Sequence, residues 1–207
     1  IGAVAYYERP LVKQLRQLYS GQGWEWDKLT VRQIVNKQLR PKLLGDAKLH
    51  SYNHHLCHAA AGFQTSTFDR ATVVVIDAIG EFDTISIYGA EYVNGQAKYK
   101  KLWGQKYPNS IGLFYSAMTK EVGLKPMEEE YILMGMAAYG SWQASGIMKD
   151  QLVDDIKKVT LKENLHIGSS YSFKDHFDIE DIAASAQRVA EELIYSVMLR
   201  AKEFNWS

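Results

Sequence analysis

The sequence predicts a mixed sheet flanked by helices, as in an α/β or α+β fold built as one domain or as one lobe of a larger protein. One observation is the apolar run Val73-Val74-Val75-Ile76, which lacks alternation and is typical of a strand covered on both faces. A second is the alternating segment over residues 82–92, which ends near the turn signal Asn94-Gly95. The third is helical periodicity on both sides of these strands, without an internal repeat or a linker.

The amino-terminal part alternates strands with helices. We expect, in order, a strand over 2–7, helices over 10–20 and 28–40, a strand over 47–51 and a helix over 53–66. Pro10 favours the start of the first helix because its missing N–H is not needed in the first turn. Pro41 favours the end of the second helix, since the residue before a proline avoids helical backbone angles.

The middle of the chain predicts antiparallel strands. A strand over 71–77 ends at Asp77, and the next strand covers 82–92. Asn94-Gly95 is the strongest short hairpin signal, so a strand over 96–103 is expected to pair back on its predecessor.

Helices dominate the carboxy-terminal half. We expect helices over 110–121 and 129–138, an amphipathic segment over 147–159, a mixed segment with one short strand over 160–176, and a last helix with an apolar stripe from Ile179 to Phe204. Ser110 is the expected N-cap of the first of these helices, which Gly123 ends. Asp178 is the expected N-cap of the last, with Asp181 at its third position.

Composition excludes several classes of protein. Lys plus Arg and Asp plus Glu each number 24 in 207 residues, so the formal net charge is zero, whereas nucleic-acid binders carry a basic excess or stripe. The single cysteine, Cys57, allows no disulfide within the chain and fits a reducing, cytoplasmic location. No apolar stretch approaches the roughly 20 residues of a membrane span. The first residues also lack the pattern of a signal peptide.

Two histidines and an aspartate are the candidate catalytic residues and metal ligands. His54 and His58 lie four residues apart and face the same way if their segment is helical. Asp77 ends the following strand, so the three side chains form a site for a metal ion or a phosphate if the two elements meet. Two imidazoles and a carboxylate suit iron, zinc or manganese. The alternative is that both histidines are packed and unliganded, while a zinc peptidase is disfavoured because His55 stands where its glutamate belongs.

The turn after Asp77 offers further contacts. Gly80 in a tight turn exposes backbone N–H groups to a phosphate, and Glu81 and Asp83 either hold a cation or are solvated. We assign no chemistry to His55, which is expected to point elsewhere on its helix. Cys57 is expected to be a small buried residue.

The sequence resembles the carbamoyltransferases of the nodulation and antibiotic-tailoring type in four ordered segments: HHLCHAAAGF, VVVIDAIGEFDTISIY, YPNSIGLFYSAMTKEVGL and EEEYILMGMAAYG. The resemblance runs over nearly the whole chain and is strongest over 52–140. It implies a mixed-sheet lobe of the actin/Hsp70-like (ribonuclease H-like) ATPase fold, closest to the universal tRNA threonylcarbamoyladenosine proteins. It also implies that 1–207 is one partial domain, the amino-terminal lobe, truncated at both ends and forming one wall of a nucleotide cleft.

The resemblance also implies roles for particular residues. His54, His58 and Asp77 bind a divalent metal ion, for which iron is expected before zinc or manganese. The metal binds the phosphates of a nucleotide, either ATP or carbamoyl adenylate. Four more positions are expected to contact the nucleotide: Gly80, Glu81, Ser110 and Gly112.

Two positions depart from the family pattern. Ala78 replaces the first glycine of the Asp-Gly-x-Gly-Glu turn, so a backbone contact there is not transferred. Ile132 stands where the family usually carries lysine, so no lysine role is transferred either.

For the full-length protein the resemblance implies O-carbamoylation. Carbamoyl phosphate and ATP give a carbamoyl adenylate, and the carbamoyl group passes to a hydroxyl of a small-molecule acceptor. The expected partners are therefore nucleotide, carbamoyl phosphate and that acceptor, without nucleic acid or membrane and with the oligomeric state left open. The fragment alone is expected to be inactive. Two alternatives remain, a non-catalytic nucleotide-binding lobe of the same fold and a tRNA-modifying relative.

Overall fold

The computed structural model describes residues 2–38, 45–204 and 206. Its helices and strands follow in this order: β1 (Ala3–Tyr6), α1 (Pro10–Tyr19), α2 (Val31–Gln38), β2 (Lys48–Ser51), α3 (His54–Gln64), β3 (Arg70–Gly80), β4 (Asp83–Val93), β5 (Gln96–Lys106), α4 (Ile111–Glu121), α5 (Glu130–Met136), α6 (Ser145–Leu152), β6 (Val153–Asp155), β7 (Thr160–Leu161) and α7 (Ile179–Glu203). The chain combines helices with both parallel and antiparallel strands, so the predicted mixed α/β class is confirmed.

The strands of the described residues form three small sheets. β1 and β2 pair in parallel, with Ala3 opposite Lys48. β3, β4 and β5 form an antiparallel sheet, and β6 pairs antiparallel with β7. The predicted hairpin is confirmed, because Asn94 and Gly95 both have positive φ (52° and 74°) and join strands in register.

The β3–β4–β5 sheet is covered on both faces. On one face α3 packs through Ala59 against Val75 and Tyr88. On the other face lies the main core, where α4 and α7 meet β4 through fully buried side chains: Ile85, Ile87, Phe114, Met118, Leu193 and Val197. Coverage on both faces is what the apolar run in β3 predicts.

Most element boundaries agree with the sequence, but several expectations need correction. The predicted helix over 28–40 begins at Val31 and extends to Gln38, and its predicted end and Pro41 lie outside the described residues. The segment over 147–159 is helical only to Leu152, because the next residues pair with β7 as strand β6.

The expected cap of α7 also needs correction. Asp178 occupies the N-cap position, but its side chain makes no capping hydrogen bond. Asp181 instead accepts a hydrogen bond from the backbone N–H of Ser141 at 2.7 Å. No helix within the described part of the chain has the length and apolar content needed to cross a membrane.

Candidate functional site

Helix α3 presents two histidines on one face. Asn53 caps this helix, since its side-chain oxygen accepts a hydrogen bond from the backbone N–H of Leu56 at 3.0 Å. His54 and His58 follow one turn apart, and their Nε2 atoms lie 2.9 Å from each other. The capped first turn therefore brings two imidazole nitrogens to one point.

Asp77 lies opposite these histidines. The sequence predicts that strand β3 ends at Asp77, and this is wrong. The strand continues to Gly80, with a shift of register after Ile76. Such a bulge changes the direction of a side chain within a strand. Oδ2 of Asp77 is 3.0 Å from Nε2 of His54 and 3.9 Å from Nε2 of His58. The structure thus brings all three predicted ligands together.

The donor atoms of His54, His58 and Asp77 fit a divalent metal ion. One donor atom from each lies within 4.8 Å of the others. Ligands at 2.0–2.1 Å from one ion and at right-angled to tetrahedral angles are about 2.9–3.4 Å apart. Two of the three separations already have this length, and only the distance of 3.9 Å between His58 and Asp77 must shorten. Half of the His58 side chain is exposed, which leaves the site open for a further ligand.

Two features of the site act in opposite directions on metal binding. Burial by itself raises the pKa of Asp77, but hydrogen bonds from His54 and from the backbone N–H of Ala78 outweigh it and hold the pKa below its usual value. The ionised carboxylate is the form that binds a metal. In contrast, Nδ1 of His54 is buried without a hydrogen-bond partner among the described residues, whereas metal-binding histidines usually donate from that nitrogen.

His55 belongs to this site, and the expectation that it points elsewhere is wrong. Its side chain is fully buried, with Nδ1 at 2.9 Å from Oγ of Ser86 and Nε2 at 4.0 Å from Oδ2 of Asp77. Burial lowers the pKa of His55 to about 4, so the ring is neutral at pH 7. Three histidines within five residues are the sequence signal that could have indicated a role for His55. Helical spacing alone does not show which face of α3 packs on the sheet, so it could not place His55 near Asp77. Cys57, expected to be buried, is half-buried.

Gly80 makes room for the histidine rings. A methyl group at this position would lie 2.6 Å from Cδ2 of His54 and 2.5 Å from Cδ2 of His55. Both distances are too short for any side chain. Gly80 is therefore required for the packing of α3 on β3, whatever its backbone contacts with a phosphate.

The two acidic residues after Gly80 are neither solvated nor free to bind a cation. Glu81 is buried and accepts hydrogen bonds from the backbone N–H of Arg9 at 2.7 Å and from its Nε at 2.9 Å. Asp83 forms an ion pair with Nζ of Lys101 at 2.7 Å. Both carboxylates are matched by cations of the chain itself, and Glu81 ties α1 to the turn between β3 and β4.

Ser110 and Gly112 hold α4 close to Asp77. The buried hydroxyl of Ser110 accepts from the backbone N–H of Leu113 at 3.0 Å and donates to the carbonyl of Ala78 at 2.7 Å. A methyl group at position 112 would lie only 2.7 Å from Cα of Ala78. These contacts place the start of α4 against the strand segment that carries Asp77, while the nucleotide contacts of Ser110 and Gly112 stay predictions.

Comparison with known proteins places this chain in a family. The family described as carbamoyltransferase N-terminus matches residues 9–204. The Synechocystis protein sll1178 is 32% identical over 173 residues, covering 73% of this chain and 27% of its own length. The nodulation protein NolO of Bradyrhizobium diazoefficiens is 35% identical over 88 residues, covering 42% of this chain and 15% of its own length.

A further relative is also a nodulation protein, and it too is matched over only a small part of its length. The nodulation protein NolNO of Sinorhizobium fredii is 29% identical over 113 residues, covering 55% of this chain and 16% of its own length. The chain thus spans between 15% and 27% of the length of these three relatives.

Proposed function

Because the chain belongs to the carbamoyltransferase family, as its match over residues 9–204 establishes, we propose that the full-length protein transfers a carbamoyl group to a hydroxyl of a small-molecule acceptor. Carbamoyl phosphate supplies the group: with ATP and one water molecule it gives carbamoyl adenylate, inorganic phosphate and pyrophosphate. The acceptor hydroxyl then attacks the carbamoyl carbon of the adenylate, and AMP leaves. Similarity to the nodulation proteins NolO and NolNO supports this assignment over a tRNA-modifying one.

The observation that carries the proposal is the convergence of His54, His58 and Asp77 within 4.8 Å. These residues would hold a divalent metal ion, and their two imidazoles and one carboxylate suit iron, zinc or manganese; the family resemblance places iron first. When bound, such an ion supplies positive charge beside the phosphate oxygens of a nucleotide. Asp77 contributes an ionised carboxylate, and the half-exposed His58 faces the open side where a nucleotide can approach.

Four further residues shape the surroundings of Asp77 at the edge of the sheet. Gly80 leaves room for the rings of His54 and His55, and Gly112 lets α4 approach the backbone of Ala78. Glu81 fixes the turn between β3 and β4 through Arg9, and Ser110 fixes the start of α4 through the Ala78 carbonyl. We assign these four residues to the nucleotide site as groups that shape it.

The test is the change His58→Ala in the full-length protein. The variant is expected to lose most of its bound metal and most of its carbamoyl-phosphate-dependent release of pyrophosphate from ATP, because one of three ligands is gone. Metal content is measured by elemental analysis and pyrophosphate by a coupled assay. The matched control is His50→Ala, which removes an exposed histidine of β2.

Two results would overturn the proposal. If a metal-free His58→Ala protein released pyrophosphate at the full rate, the reaction would not need the metal. A wild-type protein that binds ATP but leaves carbamoyl phosphate intact would instead be a nucleotide-binding lobe without a transfer step.

A further inference from the structure

A third histidine of α3, His55, is not among the three proposed metal ligands. His55 is completely buried, yet its Nε2 atom has no hydrogen-bond partner among the residues that the structure describes. Buried polar atoms in folded proteins nearly always have a partner. The nearest acidic group is the carboxylate of Asp77, at 4.0 Å.

We propose that His55 is a positioning residue, whose Nε2–H donates to the carboxylate of Asp77 and orients it toward the metal. The proposal rests on the metal site proposed above. His55 is not itself a ligand, since the donor atoms that cluster within 4.8 Å belong to His54, His58 and Asp77.

The contacts of both ring nitrogens of His55, with Ser86 and with Asp77, favour one tautomer. Nδ1 of His55 is 2.9 Å from Oγ of Ser86. If Nδ1 donated to Ser86, Nε2 would turn a bare lone pair toward the negative charge of Asp77. The favourable arrangement is the reverse, in which the Ser86 hydroxyl donates to Nδ1 and the proton sits on Nε2. Ser86 thus prepares His55 as a donor toward Asp77.

Metal binding by His54 creates the need for this donor. Oδ2 of Asp77 is 3.0 Å from Nε2 of His54, which can donate a hydrogen bond to it when it carries a proton. A ligating imidazole nitrogen carries no proton, so Asp77 loses this hydrogen bond when His54 binds a metal. His55 then offers the replacement, and a movement of about 1 Å shortens 4.0 Å to hydrogen-bond length.

Two substitutions of His55 separate positioning from packing. In His55→Gln the side-chain amide reaches the place of Nε2 and keeps an N–H donor near Asp77. In His55→Asn the amide reaches only the place of Nδ1, so the contact with Ser86 is kept and the donor to Asp77 is lost. Both replace an imidazole by a smaller neutral amide, so a purely structural role predicts similar effects.

The experiment titrates the metal-free full-length proteins with Co²⁺ and follows the optical absorption of the bound ion. We expect His55→Asn to bind Co²⁺ about 10–100-fold more weakly than wild type, which is the usual cost of losing such a partner. His55→Gln should stay within about threefold of wild type by the same reasoning. Thermal unfolding of the metal-free proteins monitors the fold, and His50→Asn is the control.

The outcomes distinguish failure of the metal site from failure of the positioning role alone. Wild-type protein that does not bind Co²⁺ at all refutes the metal site, and with it the role of His55. Wild-type protein that binds Co²⁺ while His55→Asn binds equally well refutes only the positioning role, and so does an equal loss in the Asn and Gln variants. If either variant fails to fold, Ser86→Ala replaces it: weaker Co²⁺ binding supports the role, and unchanged binding overturns it.

Discussion

Replacing Gly80 by alanine is expected to disrupt the metal site through packing alone, without changing a ligand. The added methyl group would lie 2.5 Å from Cδ2 of His55 and 2.6 Å from Cδ2 of His54. Ordinary van der Waals contact begins at 3.4 Å, so each ring must retreat by about 0.8–0.9 Å. Metal–ligand distances tolerate only about 0.2 Å of error. The displacement of His54 is therefore about four times what a metal site accepts.

The same substitution also strains the fold. His55 is fully buried and cannot retreat into solvent, so α3 must shift on the sheet. Overpacking of this kind typically costs about 1–3 kcal/mol. We expect His54 and Asp77 to separate, and Co²⁺ affinity to fall at least as far as in His58→Ala.

The assay is the Co²⁺ titration of the full-length protein, together with its thermal unfolding. Gly62→Ala in the same helix is the matched control, because a methyl group there meets no atom within 4 Å. That control should keep its metal affinity and gain up to about 1 kcal/mol of stability from helix propensity. A Gly80→Ala protein that binds Co²⁺ within twofold of wild type would show that the rings do not depend on this gap.

Two further expectations concern stability. Gly112→Ala should destabilise the protein by about 1–3 kcal/mol in denaturant titrations, because its methyl group would lie 2.7 Å from Cα of Ala78. The control is Gly146→Ala, whose methyl group would meet no atom within 4 Å and should not destabilise the protein. Equal unfolding midpoints of the two variants would contradict this expectation. Burial acts to raise the pKa of Glu130, but hydrogen bonds from Ser116 and a backbone N–H hold it below its ordinary value. This contribution to stability is present above the unfolded pKa and is lost as the pH falls through the folded one. Ser116→Ala should therefore cost stability at neutral pH and progressively less in acid, and a constant difference across pH would refute the assignment.

Local sequence patterns were sufficient for most of the fold. The Asn94-Gly95 turn, the cap at Ser110 and the long stripe of α7 depend on residues close together in sequence, and each was predicted correctly. The segment after Leu152 was not, because an amphipathic pattern there is also satisfied by a short strand once β7 provides a partner. Asp178 and Asp181 had the pattern of a cap, yet the backbone of Ser141 competes for Asp181.

The sequence by itself determined most of the secondary structure, the family and the three groups that meet at the candidate metal site. Helical spacing puts His54 and His58 on one face wherever the helix lies, because four residues make about one turn. Only the tertiary structure decided that His55 also turns toward Asp77, and that Glu81 is held by Arg9, 72 residues away. Such contacts depend on how elements distant in the chain pack against each other, which periodicity does not encode.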